Sequence, residues 1–108
     1  MLRGRERRGR RIVQSMEFTR EILARWREAR AQGLPHVDIR SKDVHLALGG
    51  YPGRDHRMPI CCRVMVKMMD TFRGDTILHS PKSGLGSSLV IRYVLPRGLG
   101  DPRWYTAP

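Results

Sequence analysis

Apolar positions recur along this chain with two periods. Over residues 17–32, Phe18, Ile22, Trp26 and Ala29 fall at i, i+4, i+8 and i+11, and Leu23 widens the stripe. Arg20, Arg27 and Glu28 take the other faces, so the pattern predicts an amphipathic helix. Glu17 and Glu21 favour its amino end through the macrodipole, and Gly33 followed by Pro35 stops it. Val37 and Ile39 alternate within His36–Arg40 and predict a short strand. Ser41 is a suitable N-cap for a short helix over Lys42–Leu48, with Val44, Ala47 and Leu48 inward. Gly49-Gly50 ends that helix, and Tyr51-Pro52-Gly53 is a turn signature.

The next helix is expected to start between Asp55 and Pro59, with Asp55 as N-cap and Pro59 in the first turn, where a missing N–H costs least. Cys61, Val64, Met65 and Met68 follow i, i+3, i+4, i+7 and should face the core. Cys62, Arg63, Val66 and Lys67 then fall outward or at the boundary, and Asp70 and Gly74 bracket the helix end. Thr76–Ser80 and Ser88–Leu95 read as strands. In the second, Leu89, Ile91, Tyr93 and Leu95 share one face, and Val90, Arg92 and Val94 share the other. Pro81–Ser87 between them is a hairpin loop, with Leu85 at its tip. Leu85 has three possible destinations: a groove, a partner or the core. The expected organisation is one α+β domain over 16–97, three helices with a small antiparallel sheet, preceded by a disordered Arg/Gly-rich arm (1–15) and followed by a flexible tail (98–108). Met16, where the apolar pattern begins, is an alternative start.

Charge sharpens this picture. The formal net charge is +11 over 108 residues. Residues 1–15 hold six arginines against Glu6 alone, and the remainder holds 15 cations against 9 acids, so the body is basic without its arm. Cations that neutralise phosphates release condensed counterions, so the balance points to a polyanion partner. The two cysteines, Cys61 and Cys62, are adjacent; a vicinal pair strains a disulfide and lacks zinc-site spacing, and free thiols suit a reducing cytoplasm. No apolar run is long enough to span a membrane. His36, His45, His56 and His79 lack metal-binding spacing. Asp38 with Asp43 is the arrangement a small metal-dependent nuclease would use, but a helix dipole already accounts for Asp43. A cysteine paired with His56 is undercut because Cys61 has core periodicity. The expectation is a non-enzyme without cofactor or metal.

Two helices joined by the turn in Gly49-Gly50-Tyr51-Pro52-Gly53-Arg54-Asp55-His56-Arg57-Met58-Pro59, followed by strand, glycine loop and strand, make an order of elements that resembles the winged helix-turn-helix superfamily over Glu17–Arg97. The resemblance implies a recognition helix at about His56–Met69 and a wing at Pro81–Ser87. On it, Arg54, His56, Arg57, Arg63 and Lys67 are the candidate contacts of the helix, and Lys82 and Ser83 those of the wing. Arg7, Arg8, Arg10 and Arg11 of the arm would lie along phosphates. The implied function is binding of double-stranded DNA, as a regulator or a mobile-element or defence-associated factor. Alternatives are an RNA- or protein-binding subunit of a larger nucleoprotein assembly, and a small nuclease. Since Phe18, Ile22 and Trp26 must cover the core, only part of the first helix is left for a partner, which favours a weak homodimer at most.

Overall fold

The structure, a computed structural model, describes residues 12–96. Among the described residues the first helix, α1, runs Ser15–Ala31 and buries Phe18, Ile22, Trp26 and Ala29, the stripe expected from the sequence. At its start the backbone N–H of Gln14 donates to Glu17 Oε1 at 2.9 Å, so an acid in the first turn closes the amino end. Strand β1 (His36–Arg40) leads directly into α2 (Ser41–Leu48). After a long connection, α3 spans Met58–Lys67; a 3-10 turn at Thr71–Arg73 follows, then β2 (Thr76–His79) and β3 (Val90–Val94). The sheet is antiparallel in the order β1-β3-β2. Ile39 lies opposite Ile91 in one ladder, and Ile77 opposite the same Ile91 in the other. Among the described residues, three α-helices and a small three-stranded antiparallel sheet form the expected α+β arrangement.

The core lies between the helices and one face of β3. Leu89, Ile91, Tyr93 and Leu95 are buried as a set, as period-two alternation demands. Trp26 and Tyr93 meet with ring centroids 5.0 Å apart. The Tyr93 hydroxyl donates to the Met65 carbonyl at 2.7 Å. That carbonyl belongs to the last turn of α3, where the Met69 N–H turns instead to Val66, so Tyr93 satisfies an acceptor that the helix end leaves over. Asp75, 5% exposed, accepts from the Asp70 N–H at 2.7 Å and the Val94 N–H at 2.8 Å, fastening the exit of α3 to the end of the sheet. On the sheet surface Arg92 donates to both carboxylate oxygens of Asp38, at 2.8 and 3.0 Å. Those bonds hold the Asp38 carboxyl below its ordinary value of 3.8.

Four local expectations change. Ser41 does not cap α2: Arg40 stands at the N-cap, and Ser41 is a fully buried first residue whose hydroxyl donates to the Gly86 carbonyl at 2.7 Å. Ala47 is exposed, and His45 occupies the inward position. Asp55 does not cap α3; Arg57 does, because 53–56 closes its own turn through the His56 N–H to the Gly53 carbonyl, and the Met58 N–H is taken by His56 Nδ1. Cys62 does not face outward: both cysteines are fully buried and free, because the β2–β3 loop folds over that side of α3.

Candidate nucleic-acid interface

The outward face of α3 is built by its neighbours. Met58, Cys61, Cys62 and Met65 are buried against α1, α2 and the β2–β3 loop. What remains outside is Pro59, Arg63, Val66 and Lys67. Arg63 and Lys67 are four residues apart, hence on one face and about 6 Å apart along the axis. The helix contains no acid. At its amino end Arg54 and His56 are exposed and Arg57 is half-buried. The expected contacts of α3 therefore all lie on this helix or at its beginning.

The connection from Gly49 to Arg57 is held by a buried imidazole. His45 Nδ1 lies 3.1 Å from the Gly49 carbonyl, and His45 Nε2 accepts from the Arg57 N–H at 2.9 Å. A carbonyl only accepts, so the ring carries its proton on Nδ1 and bridges both ends of the connection. Its ring packs edge-on to Phe18, with centroids 5.0 Å apart, and tilted on Tyr51, at 5.3 Å. Gly49 and Gly50 have φ of 90° and 79°, a region that a side chain would strain.

The β2–β3 loop is anchored on one flank. The Gly86 carbonyl accepts from the Ser41 hydroxyl and from Cys62 Sγ, the latter at 3.3 Å. The Ser41 N–H donates to the Leu89 carbonyl at 2.9 Å and the Lys42 N–H to Ser87 at 3.3 Å. Leu85 turns back onto the core cluster. Lys82 and Ser83 stay exposed, and the Ser83 hydroxyl accepts from the Leu85 N–H at 3.1 Å, shaping the tip. The same bonds that close the loop thus tie it to the amino end of α2 and the side of α3. Cys62 braces the loop through Gly86, and Cys61 Sγ points to the Ser41 carbonyl at 3.7 Å. Burial pushes the Cys61 thiol up to about 12 and raises that of Cys62, so both are poor nucleophiles.

Arg7, Arg8, Arg10 and Arg11 lie outside the described residues. A separate groove of about 400 Å³ runs between α1 and β1. Glu21, Glu28 and Asp38 outnumber Arg25 on its walls, which makes it unsuited to a polyanion. Among the described residues no cluster of three or more His, Cys, Asp or Glu could hold a metal, and no helix is long and apolar enough to cross a membrane. Sequence reasoning passed over two residues that shape this connection, His45 and Tyr51. The signal for the first was present: Ser41, Val44, His45 and Leu48 follow i, i+3, i+4, i+7, but a polar imidazole was not counted as inward. No family model matches the chain, and no curated protein or solved structure matches it.

Proposed function

We propose that this chain is a winged helix-turn-helix protein that binds double-stranded DNA, with α3 in the major groove and the β2–β3 loop and the 1–15 arm on the backbone. The observation that carries this reading is the acid-free outward face of α3. Arg63 and Lys67 stand on it, Arg54 and Arg57 lie at its beginning, and the Lys82 loop is braced against its side through Gly86. A helix-turn-helix places the second helix in the groove with its first residues toward base edges, while loop cations meet phosphates. The strand order β1-β3-β2, with the loop closing β2 to β3, suits that geometry. A cytoplasmic regulator, or a factor of a mobile-element or defence locus, fits a domain of this kind.

The test is a titration of the full chain against duplex DNA, single-stranded DNA and RNA at two salt concentrations. The duplex should bind tightest, and affinity should fall steeply with salt. Arg63→Ala should cost about 1–3 kcal/mol on a preferred duplex and less on random DNA, whereas Lys67→Ala should weaken both alike. Binding to all three polymers that is unaltered by either substitution would remove α3 from the interface.

One observation favours a second reading, a protein-binding subunit of a larger nucleoprotein assembly. Phe72 is fully exposed in the 3-10 turn, and β2, an edge strand, exposes Ile77 and Leu78. Under that reading Phe72→Ser abolishes assembly and leaves the DNA titration untouched.

A further inference from the structure

The connection between α2 and α3 carries more construction than a turn needs. It runs from Gly49 to Arg57, and its Tyr51 and His56 continue a row of rings that starts at Phe18 of α1 and His45 of α2, each in contact with the next. His56 closes the stack edge-on to Tyr51, with centroids 5.5 Å apart and ring planes at 81°. His56 Nδ1 accepts from the Met58 N–H at 3.1 Å. A nitrogen that accepts carries no proton, so the neutral ring bears its hydrogen on Nε2. His56 is an exposed residue and stands one residue before the N-cap of α3. His45, fully buried, holds the opposite tautomer and fixes both ends of the connection that carries His56.

We infer that His56 is a specificity-determining contact that offers one hydrogen-bond donor, Nε2–H, to an acceptor on a base edge in the major groove, and that His45 is the residue that positions it. This inference rests on the DNA-binding reading above and names what that reading leaves open. The residues that begin a recognition helix are the ones that meet base edges. A single fixed donor is matched by guanine O6 or N7, adenine N7 or thymine O4, and it is opposed by the N4 amino group of cytosine. His56 therefore excludes cytosine at the base it faces. The ring cannot turn over to offer an acceptor without giving up the Met58 N–H, so the exclusion is built into the fold.

The experiment enriches duplexes with a randomised centre on the full chain, on His56→Ala, on His56→Glu and on His45→Phe. The wild-type pool should show a position from which cytosine is missing. His56→Ala should lose that exclusion alone, with about a tenfold loss on the wild-type motif. His56→Glu replaces the donor by an acceptor and should make cytosine preferred there. His45→Phe keeps a ring in the stack but removes both bridging hydrogen bonds; at a temperature where it remains folded, it should blur the same position and no other. Nitrogen-resolved NMR of the free protein should find His45 protonated on Nδ1 and His56 on Nε2. An unchanged motif from His56→Ala, an equal loss on every duplex (a phosphate contact), or a His56 proton on Nδ1 would each overturn the inference. A wild-type chain that enriches no duplex, with both tautomers as assigned, would overturn the DNA-binding reading beneath it.

Discussion

Asp75 joins the helical half of the domain to the sheet, and its replacement is the sharpest test of how the fold is held. The carboxylate is 5% exposed and accepts two backbone N–H groups, Asp70 at 2.7 Å on Oδ2 and Val94 at 2.8 Å on Oδ1. Asn has the same shape but only one oxygen. One backbone N–H would keep its acceptor, and the other would face an amide NH2, donor against donor. A charge-assisted hydrogen bond contributes about 1.5–3 kcal/mol, and a buried donor left unpaired costs about 1–3 kcal/mol. Asp75→Asn should therefore destabilise by about 2–3 kcal/mol, and Asp75→Ala, which strands both donors, by about 3–5 kcal/mol. In a domain of this size each kcal/mol lowers Tm by roughly 4–8 °C. The Asn variant should melt at least about 8 °C lower. Urea unfolding followed by circular dichroism measures the difference, and the slope m should be unchanged if only the folded state is affected. An Asn variant within about 0.5 kcal/mol of wild type, the spread of ordinary surface substitutions, would refute the claim that this carboxylate fastens α3 to β3.

Tyr93→Phe deletes the hydroxyl on the Met65 carbonyl and keeps the packing on Trp26, so urea unfolding should show a loss of about 1 kcal/mol; no change would mean that the helix end satisfies that carbonyl another way. Native thiol labelling should leave both cysteines unmodified until the protein opens, and fast labelling of Cys62 alone would show that the β2–β3 loop does not cover it. The buried Cys61 thiol stays protonated up to about 12 while the unfolded chain ionises near 9.0, so the unfolded state is the one that releases protons first. Stability is then full below the unfolded value and falls above it by about 1.4 kcal/mol per pH unit, a slope that Cys61→Ala should flatten. Ser41→Ala removes the donor to Gly86 at 2.7 Å and should raise hydrogen exchange in 81–89 more than in α1; uniform exchange would show that the loop is held elsewhere.

Much of the fold was legible because periodicity reports burial wherever one neighbour covers one face. α1 has a single buried stripe, and Phe18, Ile22, Trp26 and Ala29 were read from their spacing. β3 alternates over one core, so Leu89, Ile91, Tyr93 and Leu95 were equally plain. The cationic side chains were legible as a set, since a long charged side chain stays in water by default and Arg54, Arg63 and Lys67 are exposed. What the sequence left open are the places where two neighbours meet one element. α3 is covered on two sides, so Cys62 is buried although the helical stripe puts it outward or at the boundary, and the cover comes from a loop twenty-four residues further on. Ser41 had the chemistry of a cap, but the sheet brings Gly86 within 2.7 Å of its hydroxyl, and a direct acceptor prevails over a local turn. Asp55 had the chemistry of a cap as well, and His56 took the N–H it would have served. Sequence alone determined which segments would be helix or strand and where cations gather, because those follow from near neighbours in the chain. Tertiary structure decided which polar groups become internal fasteners, because a hydrogen bond between residues far apart in sequence exists only after packing has desolvated both ends.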